Sequence, residues 1–186
     1  MSNRCLAIIL SFFSMLAPLA GAKVPRPSPE YAVKLTDGRQ LLLSSYRGKV
    51  VVLMFVTTTC PHCLATCQFM NKVQEQYGPK GLQTLAVTFN EMSRMLVPDF
   101  IKLAGDAFPI GWDDRDPVYN YLQRSPMLLT YVPIMVFIDR AGVIRGQYMG
   151  DDPFFSDRDK NVRAMIDKLI KEPASTTKAA HGKKAS

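Results

Sequence analysis

The sequence is poor in residues that build metal and nucleic-acid sites: among 186 residues it has 2 histidines and 1 tryptophan. It has 4 cysteines and no second close pair of them, whereas a tetrahedral zinc site takes four ligands, usually as two such pairs. Only Cys67 and His181 would be left to complete one. No basic stripe with interleaved aromatics accompanies the net charge of +7, so the chain does not read as a nucleic-acid binder. No internal repeat and no second domain is visible. No apolar run reaches the ~20 uninterrupted residues of a confident membrane span.

What is present begins with residues 1–22. Arg4 precedes an apolar run from about Cys5 to Ala20, and the segment ends Ala20-Gly21-Ala22, a pattern suited to a signal peptidase. It reads as a signal peptide that takes Cys5 with it on export. An uncleaved anchor is the alternative, and only then does membrane association follow. The expected location is the periplasm or another exported compartment. Thiols there tend to oxidise, and the three cysteines that remain are an odd number, unlike a purely structural framework. Residues 23–30, with three prolines, read as an extended lead-in. Residues 172–186 read as a disordered basic tail. Residues 171–186 carry four lysines and one glutamate, about half of the +6 left without Arg4.

Between these ends the pattern alternates strand and helix. Two short β-like runs flank Asp37-Gly38, a hairpin signal. The unbroken apolar run "VVVLMFV" fits a central strand buried on both faces. From Cys63 to about Gly78, Leu64, Cys67, Met70, Val73 and Tyr77 recur at helical steps. A strand is expected over 82–89. A helix follows over 91–105, delayed or kinked by Pro98, and then a short strand at 108–112. A short helix is expected next, with Asp116 as cap and Pro117 first. Two strands joined through Arg140-Ala141-Gly142 precede an amphipathic helix with Val162, Met165, Ile166 and Leu169 on one face. The order implies an α/β domain over residues 31–171: a mixed sheet flanked by helices, with a right-handed βαβ unit and an N-terminal β-hairpin extension.

Cys60-Pro61-His62-Cys63 falls at a strand-to-helix junction. Free amides and the helix dipole favour negative charge at a helix start, so the placement favours the thiolate of Cys60. Pro61 suits the first helical position, and His62 can add positive charge. Both are candidate thiolate-tuning residues. Cys63, one turn further in, is the expected resolving thiol. The chemistry is thiol–disulfide exchange, and Pro-His between the cysteines leans toward an oxidant, or a less reducing couple than thioredoxin. An inert disulfide and half a zinc site are the alternatives. Cys67 reads as a small core hydrophobe, with an auxiliary redox or metal role as its alternative.

On "GKVVVLMFVTTTCPHC" and "YVPIMVFIDRAGVIRGQYMG" the chain resembles the thioredoxin superfamily, and within it the exported TlpA-like thiol–disulfide oxidoreductases. The resemblance covers roughly residues 28–171 and implies a thioredoxin-like sheet. It also implies a cis Val132–Pro133 bond beside Cys60 and Cys63, with Val132 offering its backbone to an extended substrate segment. The chain departs from the pattern in three places. Thr59 stands where a tryptophan is usual, and Met54 and Thr66 stand where relatives carry acids. Glu91 is a distant substitute, and the sole tryptophan, Trp112, reads as packing.

The expected partners are client proteins with cysteines and a redox partner protein, with no cofactor, metal or nucleic acid. Two other functions stay open. Thr57-x-x-Cys60 partly matches a peroxiredoxin motif, though Leu53 holds the proline position. A non-enzymatic copper-handling module like the SCO proteins shares this fold, but uses C-x-x-x-C and a histidine. Residues 108–123 and 125–131 are apolar enough either to line a client groove or to pack in core and edge.

Overall fold

The structure is a computed structural model that describes residues 22–173. The expected signal segment with Cys5, and the basic tail with His181, lie outside the described residues apart from Ala22, Glu172 and Pro173. Eight strands form one mixed sheet: β1 (Arg26–Pro27), β2 (Ala32–Lys34), β3 (Gln40–Leu42), β4 (Val50–Val56), β5 (Leu82–Thr88), β6 (Ile110–Trp112), β7 (Ile134–Ile138) and β8 (Val143–Tyr148). Their order in space is β1-β8-β7-β4-β5-β6-β2-β3. Four helices cover it: α1 (Pro61–Tyr77), α2 (Ser93–Ala104), α3 (Arg115–Leu122) and α4 (Arg158–Lys171).

The apolar run of β4 lies at the centre because both its faces are covered. All its residues are buried. Val50, Val52, Met54 and Val56 point into a core shared with α1, α2 and α4. Val51, Leu53 and Phe55 point into a second core closed by α3 and the β2–β3 hairpin. This is the two-residue alternation of a strand with apolar neighbours on each side. Each such side chain contributes roughly 1.5–3 kcal/mol relative to exposure. β5 pairs parallel to β4 from Val50↔Leu82 to Val56↔Thr88, and β7 pairs antiparallel on the other edge, ending at Phe55↔Ile134. These two registers decide what surrounds the cysteines, because β4 runs directly into them.

The expected hairpin forms, with Gly38 at φ 86° in its turn, as an extension beyond β6 at one edge of the sheet. Three local expectations are corrected. Residues 23–30 do more than lead in: Arg26 and Pro27 pair with Ile144 and Val143 as an added edge strand. Pro98 lies inside α2 and does not delay it; the helix starts at Ser93, after Met92 turns left-handed at φ 61°. α3 begins at Arg115, so Asp114 is the N-cap residue, Asp116 lies in the first turn and Pro117 is third. A proline is tolerated there because first-turn amides have no partner within the helix.

Candidate active site

The chain leaves β4 at Val56, crosses Thr57–Thr59 and enters α1, with Cys60 as the N-cap residue in extended backbone (φ −95°, ψ 118°). Pro61 is the first helical residue, and the Cys60 carbonyl accepts the Leu64 amide at 3.1 Å. The helix thus starts two residues before the periodic pattern alone suggests. Proline fixes a helical φ and lacks only an N–H that would have no partner here. Pro61 and His62 are exposed, Cys60 is half-buried, and Cys63 and Cys67 are fully buried. The three cysteines are free thiols.

The two sulfurs of the pair therefore sit in different surroundings. Cys60 is accessible at the helix start. Cys63 accepts the Thr57 amide at 3.5 Å. Burial pushes the Cys63 thiol well above the ordinary thiol range; the Thr57 amide opposes this, and the neighbouring Cys60 reinforces it. Burial also pushes the Cys67 thiol up to about 12. Cys67 packs in the core with Met54, Met70 and Val97, as a small hydrophobe does.

Antiparallel pairing of Phe55 with Ile134 brings the start of β7 beside the end of β4. The Val132–Pro133 peptide is cis. Val132 and Cys60 both pack on the edge of the cluster that buries Cys63. The sequence-derived candidates Cys60, Cys63, Val132 and Pro133 are thereby brought to one end of the sheet. Of the two apolar stretches, Val118, Tyr119, Tyr121 and Leu122 are core. Met127, Leu129 and Tyr131 stand exposed just ahead of Val132. Trp112 is half-buried between Lys34 and Arg94, whose charged groups lie 5.1 and 5.3 Å from its ring centre. Glu91 is exposed. Among the described residues, no three His, Cys, Asp or Glu side chains gather to hold a metal ion.

Three residues that the sequence patterns did not single out support the site. The Asn90 side chain, just past β5, binds Thr58. Gly150 lies against the Val132 backbone: a Cβ there would stand 2.6 Å from the Val132 carbonyl oxygen. Arg158, at the start of α4, donates to Thr66 of α1 at 3.0 Å. Only Asn90 carried a usable signal. It follows the strand parallel to β4, where side chains at the C-terminal strand ends converge.

A family profile described as AhpC/TSA matches residues 24–147. The chain belongs to this family. It is 30% identical over 138 residues to the thiol-disulfide oxidoreductase ResA of Geobacillus thermodenitrificans, covering 74% of each chain. With the ResA of Bacillus anthracis it shares 25% identity over 129 residues, 69% of this chain and 71% of that one. A thiol:disulfide interchange protein of the thioredoxin family from Chlorobium tepidum superimposes with a TM-score of 0.65 at 21% identity. That match covers 81% of this chain and 99% of the other, and it supports the thioredoxin-like fold.

Proposed function

We propose that this protein is an exported thiol–disulfide oxidoreductase that exchanges disulfides with client proteins through Cys60 and Cys63. The observation that carries this is the contrast between the two thiols: Cys60 accessible at the start of α1, Cys63 buried one turn behind it with an amide on its sulfur. Cys60 is the N-cap residue of α1, with His62 exposed beside it. Relatives named for this activity across most of the chain support the assignment.

In the reducing direction, the Cys60 thiolate attacks one sulfur of a client disulfide. The Cys60–client bond forms, the client S–S bond breaks, and one client thiolate leaves. Cys63 then attacks the Cys60 sulfur, its proton passing to a departing client thiolate. The intramolecular disulfide forms and the second client thiolate leaves. Two electrons pass from the pair to the client, whose two sulfurs end as thiols. A redox partner protein with a dithiol restores the pair, and the reverse sequence oxidises a client dithiol. Val132 and Pro133 form the lip against which an extended client segment lies. Export rests on the pattern of residues 1–22. Among the described residues, no helix is long and apolar enough to cross a membrane.

The test is exchange with insulin or reduced ribonuclease. Cys60→Ser should abolish turnover, and Cys63→Ser should accumulate a Cys60–client mixed disulfide. Turnover that survives Cys60→Ser overturns the assignment. Peroxide consumption that survives Cys63→Ser, without exchange, would replace it with a thiol peroxidase. The reduction potential then sets the direction: near ~−120 mV the couple is an oxidant, near ~−270 mV a reductant.

A further inference from the structure

We propose that Arg158 is a positioning residue for the Cys60–Cys63 couple, acting through Thr66 on the first turn of α1. The link is a short chain of hydrogen bonds. Arg158 Nη1 donates to Thr66 Oγ1 at 3.0 Å, and Thr66 Oγ1 donates to the His62 carbonyl at 2.8 Å. His62 is one of the two residues between the sulfurs. Thr66 is 1% exposed, so the hydroxyl is an internal relay. The cation is held in place on another side as well: its guanidinium carbon lies 4.7 Å from the centre of the Phe69 ring.

Two features separate this contact from ordinary surface packing. Arg158 makes no ion pair with a carboxylate among the described residues, unlike Arg145 and Arg163. Its Nε is buried without a hydrogen-bond partner. A half-buried cation is thus left unneutralised beside the active-site helix. An unpaired, partly desolvated charge is costly to hold, and the Thr66 hydroxyl that holds it sits three residues, about one helical turn, from Cys63. A disulfide carries no charge, whereas the reduced pair can carry a thiolate. The cation therefore stabilises the dithiol state over the disulfide and makes the couple more oxidising. A hydroxyl that accepts from a cation is also a stronger donor. The same contact therefore holds the Pro61-His62 turn against movement as the sulfurs close. Thr66 is polar where the core around Met70 and Val73 is apolar, and this relay accounts for it.

The inference rests on the proposed Cys60–Cys63 couple. The experiment is titration of that couple against glutathione, with thermal melts of the reduced and oxidised forms. The proteins are wild type, Arg158→Met, Arg158→Lys and Thr66→Val. Arg158→Met should shift the equilibrium about fivefold to tenfold toward the disulfide, about 20–30 mV more reducing. Thr66→Val should shift it the same way by less, and Arg158→Lys, which keeps the charge, should stay within about threefold of wild type. A merely structural role lowers both melting temperatures alike and leaves the equilibrium constant unchanged, and that result overturns the proposal. If Arg158→Met does not fold, Thr66→Val decides: a wild-type constant overturns the proposal. If wild type forms no Cys60–Cys63 disulfide across the series, the couple itself fails and the Arg158 role with it. A couple that titrates in wild type but ignores every substitution removes only Arg158.

Discussion

Asn90 grips Thr58, two residues ahead of Cys60: its carboxamide oxygen accepts the Thr58 amide at 2.9 Å, and its Nδ2 donates to Thr58 Oγ1 at 3.0 Å. Ser93 Oγ donates to the same carboxamide oxygen at 3.1 Å. The loop that delivers the first cysteine is therefore tied to the neighbouring parallel strand by a side chain rather than by the sheet ladder.

Removing that grip leaves the half-buried Thr58 amide without its partner. Asn90→Ala should cost about 1–3 kcal/mol of stability, read from urea unfolding. It should also slow insulin reduction or ribonuclease oxidation, because Cys60 is no longer held at one position. Unchanged stability and rate would show that the loop is held by its own turns.

Gly150→Ala tests the lip beside the cysteines. The new methyl would stand 2.6 Å from the Val132 carbonyl oxygen and 2.7 Å from its carbon, so backbone must move. Overpacking of this kind costs about 1–3 kcal/mol. Exchange with a protein client should fall, while reaction of Cys60 with a small aromatic disulfide, which needs no extended docking, should hold. Equal losses on both substrates would remove Val132 from client binding.

Alkaline stability follows from the buried thiols and phenols. Cys67 titrates at about 12 in the folded chain against an ordinary 9.0, and Tyr121 at about 12 against 10.0, both raised by burial. Cys63 and Tyr31 are raised in the same direction, again chiefly by burial. The unfolded chain loses these protons first. Stability is therefore complete below about pH 9 and declines as pH rises toward about 12. Thermal melts should show a flat profile through neutrality and a fall above about pH 9. Cys67→Ala should make that fall shallower. A melting temperature that holds to about pH 11 would mean these groups ionise without unfolding.

Asp113 anchors the added hairpin. It is buried and accepts from Tyr31 Oη at 2.8 Å and from Lys34 Nζ at 2.5 Å. Asp113→Ala leaves the buried phenol and the lysine unpartnered and should cost about 2–4 kcal/mol. Asp113→Asn, which keeps an acceptor for Tyr31, should cost less. Denaturant midpoints of the two variants rank the effect, and equal midpoints would mean the ion pair carries all of it.

The sequence by itself determined the sheet's centre and the two sulfurs. The run of β4 is apolar at every position, so only a site with apolar cover on both faces suits it, and Cys60-Pro61 follows it into a helix. Both facts depend on neighbours in the chain. α3 starts one residue ahead of Asp116, because the path out of β6 turns the chain helical at Arg115, although Asp114 makes no capping side-chain bond. What surrounds the sulfurs was decided largely by tertiary structure. The resemblance marks Val132 and the place after β5 marks Asn90, but Gly150 and Arg158, 90 and 98 residues beyond Cys60, carry no mark. Parallel pairing of β5, antiparallel pairing of β7 and the packing of α4 against α1 bring them to one end of the sheet. No local pattern marks Gly150 or Arg158 for a contact that long-range packing creates.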